Sequence, residues 1–244
     1  MRKILLTGST SGMGIQIIRA LSDGVDEFFL HYLSEEGKKE IENEVSNLSF
    51  KATFYRADLT DTVQTRNMVE QISKIGGVDI IIHCVSPELS RIDISKKSWS
   101  DFERHMSLQV RSLFMIIKGL IGHMKDRKRG KIINILSEAV IGKPPSNLSD
   151  YVTSKYALLG FSKSLAVEYG QSNITCNCIS PGLIDTALTA DYPNKLKELV
   201  SSQTPLKRIT KPEDVASLIK FLCSDDADFI TGENILVNGG FLMN

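Results

Sequence analysis

Short, almost wholly apolar runs alternate with amphipathic stretches along nearly the whole chain. The runs KILLT (3–7), FFLHY (28–32), KATFY (51–55), DIIIHCV (79–85), KIINIL (131–136), ITCNCIS (174–180) and NILV (234–237) predict strands. Between them, apolar positions recur with helical period near 13–22, 35–46, 62–75, 101–125, 151–170 and 212–224. Two of these stretches carry start signals: Ser34 precedes two glutamates, and Pro212-Glu213-Asp214 opens the last helix. Strand–helix alternation with strands apolar on both faces predicts an α/β fold, a doubly wound parallel sheet covered on each side. No repeat, low-complexity tract or linker divides the chain, so residues 1–244 are expected to form a single domain. The irregular stretch 181–211 is rich in Pro, Thr, Ser and charge, with a weak helical pattern around 194–202. It follows a strand at the edge where such sheets bind ligands, which predicts a substrate lid at about 186–211.

Composition narrows the function classes. Lys plus Arg equals Asp plus Glu, at 29 each among 244 residues, so no global field draws nucleic acid or anionic lipid. Cys84, Cys176, Cys178 and Cys223 show no metal-ligand spacing, and no metal is expected. Cys176 and Cys178 alternate within one predicted strand and share a face, which reads as buried thiols. A strand begins within three residues of the N-terminus, and no apolar run reaches the roughly 18 residues of a membrane span. A cytoplasmic protein with no membrane partner is the expectation.

Chemistry enters with LLTGSTSGMGIQII (5–18), where an apolar strand runs through Gly8, Gly12 and Gly14 into an amphipathic helix. Gly8 permits the sharp turn, Gly12 lets a diphosphate approach the backbone, and Gly14 lets helix and strand pack closely. The helix N-terminus then offers N–H groups to phosphate. A P-loop would need Lys-Ser/Thr after the last glycine, and none follows. Further along, YVTSK (151–155) places a tyrosine and a lysine on one helix face. An unperturbed phenol has a pKa of about 10. A cation at Lys155 is expected to draw Tyr151 toward neutrality, where acid–base work is efficient.

TGSTSGMG (7–14), YVTSK (151–155) and SPGLIDT (180–186) together resemble the short-chain dehydrogenase/reductase family, in register over essentially the whole chain. The tail 205–240 is most similar to 3-oxoacyl-carrier-protein reductases. The resemblance implies NAD(P)-dependent hydride transfer between a nicotinamide and a ketone or secondary alcohol, with a 3-oxoacyl thioester on an acyl carrier protein among the candidates. It also implies a homodimer or homotetramer. It assigns proton transfer to Tyr151, substrate hydrogen bonding to Ser137 at a strand end, and the nicotinamide ribose to Lys155. Cofactor contacts are implied for Gly8, Ser9, Ser11, Gly12, Met13, Gly14, Ser34, Asp58, Leu59, Cys84, Val85, Pro181, Gly182, Ile184 and Thr186. Within that set Asp58 contacts adenine, Leu59 flanks the base, and Ile184 and Thr186 hold the carboxamide. Ser146 and Ser149 are competitors to Ser137 by type alone, since they lie in the loop after Pro144-Pro145.

Two departures from the family pattern stand out. His83-Cys84-Val85-Ser86 replaces Asn-Asn-Ala-Gly at the end of the fourth strand; His83 is read as making sheet or cofactor hydrogen bonds, not as a general base. Gln109 stands where the family has a catalytic Asn that holds a water relay. These departures motivate a second reading, a nucleotide-binding scaffold or regulator with weak catalysis. The basic turn KDRKRGK (125–131) reads as a solvated helix end, with an acidic carrier protein as the alternative. The second strand ends in His31-Tyr32-Leu33-Ser34, with no acid for an adenosine ribose and no cation at Ser11 or Leu33. Glu35 and Glu36 favour the following helix start. NADP is favoured over NAD.

Overall fold

The computed structural model describes residues 2–22, 27–46, 48 and 50–243. The strands are β1 (Lys3–Thr7), β2 (Glu27–Tyr32), β3 (Lys51–Arg56), β4 (Ile80–His83), β5 (Gly130–Ile135), β6 (Ile174–Pro181) and β7 (Asn234–Val237). The helices are α1 (Gly12–Leu21), α2 (Glu35–Val45), α3 (Thr62–Lys74), α4 (Trp99–Met106), α5 (Ser112–Arg127), α6 (Ser149–Tyr169), α7 (Asn194–Gln203) and α8 (Pro212–Cys223). All strand pairs are parallel, in the order β3-β2-β1-β4-β5-β6-β7. The doubly wound sheet is therefore as the strand pattern predicts. The chain reverses its direction of winding between β1 and β4, and in such sheets ligands bind outside the strand carboxyl ends at that reversal.

Each strand feeds two cores. In β1, Leu5 joins the layer under α3, α5 and α6, while Ile4 and Leu6 join the layer under α1 and α8. Ile81 and its neighbours Ile80 and Ile82 divide the same way in β4. The two-residue alternation of a strand, with both faces covered, explains why these runs are apolar throughout. Cys176 and Cys178 do share a face, in the first layer, and burial pushes both thiols up.

One predicted helix, 101–125, is divided. Between α4 and α5, residues Ser107–Arg111 form a π turn in which the Ser112 N–H bonds the carbonyl of Ser107, five residues back. Such a turn is often found at functional sites. Here its cause is visible. His83 Nε2 hydrogen-bonds the Gln109 carbonyl at 3.2 Å, and the Ser112 hydroxyl donates to the Leu108 carbonyl. The other ring nitrogen of His83, Nδ1, lies 3.0 Å from Thr7 Oγ1, which itself accepts from the Cys84 N–H at 3.2 Å. The reading of His83 as a structural hydrogen-bonder matches this geometry.

A second buried histidine closes the other side of β1. His31 Nδ1 accepts from the Gly8 N–H at 3.1 Å, and Nε2 donates to the Ala57 carbonyl at 2.9 Å. Both rings thus serve as one donor and one acceptor, the neutral form. Burial lowers the pKa to about 4 for His31 and about 3 for His83, from an ordinary 6.5. In the unfolded chain these groups gain a proton near 6.5, whereas the folded rings do so only near 4 and 3. Their stabilisation is accordingly complete above pH 6.5 and is lost as pH falls toward those values. Thermal melting between pH 7 and 4 should show a falling midpoint. In His83→Asn, which cannot titrate, the pH slope of stability should be shallower by up to about 1.4 kcal/mol per pH unit, one proton's worth. Equal slopes in the two proteins would show that His83 is not buried in its neutral form.

Candidate active site

The site is built where β1, β4, β5 and β6 end. Gly8 has φ +71°, and a Cβ there would meet the Cys84 carbonyl at 2.2 Å, so the first turn rests directly on the end of β4. Ser11 caps α1: its Oγ accepts from the Gly14 N–H at 3.0 Å and donates to the Gly8 carbonyl at 2.8 Å. A Cβ on Gly14 would lie 2.5 Å from the Gly8 carbonyl oxygen, whereas a Cβ on Gly12 would meet nothing within 4 Å. Gly14 is a packing glycine, and Gly12 faces open space at a helix N-terminus. That combination fits a dinucleotide diphosphate laid against the first turn of α1.

The remaining cofactor expectations divide. Ser9 is fully buried and its hydroxyl donates to the His31 carbonyl, so the side chain ties the turn to β2. Met13 packs in the α1 core layer. The Leu59 side chain corrects the expectation: it is 2% exposed within the layer under α3, so it cannot flank an adenine. One oxygen of Asp58 accepts from the Thr60 N–H at 2.8 Å and the Thr60 hydroxyl at 2.7 Å, a turn bond. Ser34 caps α2 through the Gly37 N–H at 3.2 Å. Cys84 and Val85 follow β4 and are only partly buried. Gly182 bonds the Val237 carbonyl at 3.0 Å just beyond Pro181, and Ile184 bridges in parallel to Thr210. Thr186 donates its N–H to Thr189 Oγ1 at 3.2 Å.

Ser137, Tyr151 and Lys155 come together. Ser137 follows β5 and sits close enough to the Tyr151 phenol to favour its phenolate, while its Oγ accepts from the Ala139 N–H at 3.1 Å. Lys155 Nζ lies 5.6 Å from the Tyr151 ring centroid and donates to the Ile135 carbonyl at 2.7 Å. Tyr151 is 8% exposed and Lys155 2%. Ser146 and Ser149 have no part in this cluster's hydrogen bonds among the described residues.

The electrostatics differ from the expectation. Burial pushes the Tyr151 phenol up to about 12, with Ser137 opposing and the nearby Tyr192 and Glu138 adding to it. Burial also lowers Lys155 to about 8. The ammonium is engaged by a carbonyl, not by the phenol, and both groups are out of water, so desolvation of the phenolate wins over the cation. In this state Tyr151 holds its proton at neutral pH.

Sequence reasoning missed a buried support beneath this pair. Lys97 Nζ donates to Asp150 Oδ2 at 2.8 Å and to the Ser90 carbonyl at 2.6 Å, with both side chains at 1% exposure or less. Asp150 Oδ1 accepts the Tyr151 N–H at 2.9 Å, which fixes the first turn of α6. His105 packs edge-on against the Tyr151 ring at 6.1 Å, and its Nε2 lies 3.7 Å from Asp150 Oδ2. Burial lowers the His105 pKa despite that carboxylate. Gln109, carried on the π turn, is fully buried, and neither atom of its amide has a protein partner. A buried, unpaired amide of this kind suits an ordered water.

The chain is similar to known proteins over nearly its whole length. A family model described as Enoyl-(Acyl carrier protein) reductase matches residues 8–242. The chain is 32% identical over 239 residues to 3-oxoacyl-(acyl-carrier-protein) reductase of Aquifex aeolicus, covering 97% of this chain and 95% of that protein. It is 33% identical over 253 residues to dehydrogenase/reductase SDR family member 4 of Bos taurus, covering 98% and 86%. L-sorbose reductase of Gluconobacter frateurii, solved with NADPH and L-sorbose, superposes with a TM-score of 0.88 at 28% identity, covering 100% and 97%.

The two helix glycines give opposite expectations. Gly12→Ala should leave the melting temperature unchanged or slightly raised, because Ala favours helix by up to about 1 kcal/mol, yet weaken NADPH binding. Gly14→Ala should lower the melting temperature by several degrees, since the clash is with backbone. Calorimetry and isothermal titration check both. Unchanged NADPH affinity in Gly12→Ala would remove the diphosphate from this turn.

Proposed function

The chain belongs to the short-chain dehydrogenase/reductase family, and from that premise we propose that it reduces a ketone at a site formed by Ser137, Tyr151 and Lys155. The observation that carries this reading is the buried, protonated Tyr151 with Ser137 near its phenol and Lys155 Nζ 5.6 Å from its ring. Reduction of a carbonyl adds a hydride to carbon and a proton to oxygen. The nicotinamide supplies the hydride when bound. Tyr151 gives the proton to the developing alkoxide, and the Ser137 hydroxyl donates a hydrogen bond to the same oxygen as charge builds there. Lys155 stays cationic below about pH 8, favours the phenolate once the proton has left, and would hold the cofactor ribose. The buried Gln109 amide would hold a water through which the proton is replaced from solvent.

A preference for NADPH has a physical basis that the linear sequence hides. Pairing of β2 with β3 sets Arg56 opposite Tyr32, at the end of the strand that approaches the adenosine ribose. Arg56 is exposed, and its only ion pair among the described residues is a long contact of 3.4 Å with Glu35. A 2′-phosphate would find a cation there. Segment 186–211, with α7 lacking any buried residue, serves as the substrate lid over this site. The relatives named 3-oxoacyl-(acyl-carrier-protein) reductases place 3-oxoacyl thioesters on an acyl carrier protein among the candidate substrates, and the assembly proposed from the family resemblance is a homodimer or homotetramer.

Tyr151→Phe should lower kcat by at least about 100-fold while leaving NADPH affinity and the fold intact. Lys155→Ala should damage both turnover and NADPH binding. NADPH should exceed NADH in kcat/KM, and Arg56→Ala should shrink that ratio. Steady-state assays on a panel of ketones and acyl thioesters with both reduced cofactors check these outcomes; equal turnover by wild type and Tyr151→Phe would refute the assignment.

A further inference from the structure

We propose that Arg91 is a carboxylate-binding residue of the substrate cleft, so that the ketone this protein reduces carries a carboxylate. This rests on the carbonyl-reduction reading and narrows its substrate class. Arg91 lies in the segment that follows β4, two residues beyond Leu89, which packs against the cluster containing Tyr151. Across from it are Asp191 and Tyr192, in the segment that follows β6. Arg91 Nη1 pairs with Asp191, and the guanidinium carbon sits 4.1 Å from the Tyr192 ring centroid. Tyr192 is in turn close enough to Tyr151 to disfavour its phenolate. The guanidinium therefore ties the segment after β4, which packs through Leu89 on the Tyr151 cluster, to the segment after β6.

Its hydrogen bonding is half complete. Nη1 meets Asp191, whose side chain is 62% exposed, while Nε and Nη2 have no hydrogen-bond partner and are covered by protein, so a carboxylate reaches them only when the covering segment gives way. Nε and Nη2 form one edge of the planar fork, the pair of parallel donors that a carboxylate grips bidentately. Charged donors left buried and unpaired are unfavourable unless a ligand or water takes them up. Charge selects among anions: Asp191 already offsets the guanidinium in part, so a monoanionic carboxylate suits the site better than a phosphate dianion. A ring stacked on one face of the guanidinium also holds the fork in place before any ligand arrives.

A purely structural role, in which Arg91 only staples the two segments together, makes a different prediction. Removing Asp191 would then loosen the staple as much as removing Arg91. If Arg91 binds substrate, Asp191 competes with the ligand, and its removal helps. The test pairs short oxo acids, such as 4-oxopentanoate and its longer homologues, with their methyl esters. Binding to the NADP-loaded protein is measured by titration calorimetry, and kcat/KM is measured with NADPH.

Wild type should prefer the acid to its ester by about tenfold or more in both measurements. Arg91→Met should bring that ratio close to one, and Asp191→Asn should raise the affinity for the acid. An acid-to-ester ratio near one in wild type, or one unchanged by Arg91→Met, overturns the proposal. So does weaker acid binding in Asp191→Asn, which is the staple's signature. Arg91-dependent binding of the acid without reduction of either compound would instead sustain the carboxylate site and remove the carbonyl-reduction reading. Reduction of both compounds without acid preference does the reverse.

Discussion

The site depends on one buried chain of hydrogen bonds. It runs from the Cys84 N–H to Thr7 Oγ1, from Thr7 to His83 Nδ1, and from His83 Nε2 to the Gln109 carbonyl. β1 and β4 are neighbours at the reversal of the sheet, and the chain leaves them for opposite faces. Their ends must stay together for the glycine turn and the catalytic helix face to meet. The imidazole does this while also reaching into the helical ladder, where it takes a carbonyl and opens the π turn. The same turn carries Gln109 into the interior, so the position of its unpaired amide follows from the ring that fixes the strands. Any proton on His83 would break one half of this tie, which is why its burial in the neutral form matters.

Burial also sets the chemistry of the neighbouring groups. Tyr151, Lys155, His105 and the Lys97–Asp150 pair all lie out of water within a few residues of contact. Desolvation keeps the phenol protonated and holds the lysine at about 8, so each group sits in the form that carbonyl reduction starts from. A buried ion pair is weak evidence for stability, and removing one member leaves an uncompensated charge. Here the Lys97–Asp150 pair has a specific consequence: its carboxylate caps the first turn of α6 at Tyr151 itself. The aromatic ring is then held from below by His105 and from the side by the residues of its own small apolar cluster.

The fold was largely legible because its signals are local. Seven apolar runs predicted the seven strands to within two residues at either end, and KILLT and NILV matched β1 and β7 at both ends. The π turn escaped because it adds a residue per turn without disturbing the apolar pattern of 101–125. The Tyr151–Lys155 pair was legible from its helix spacing, and Ser137 from the family resemblance that places the serine at a strand end. What escaped was long-range or a matter of solvation. Lys97 meets Asp150 across 53 residues and Arg91 meets Asp191 across 100. Leu59 turned into the core, where it packs in the layer under α3. The shift of Tyr151 ran against the sequence-based expectation because spacing reveals that a cation is near, but not how much water has been removed.

Hydride transfer to a ketone carbon, with Tyr151 protonating the oxygen, is the reaction proposed for this chain. The most direct measurement is a single turnover with NADPH deuterated at the nicotinamide C4, followed by mass spectrometry of the product. The account predicts an alcohol carrying deuterium at its carbinol carbon with the wild-type protein, and little or none in the same interval with Tyr151→Phe. Tight NADPH binding with no labelled alcohol from any ketone or acyl thioester would contradict it.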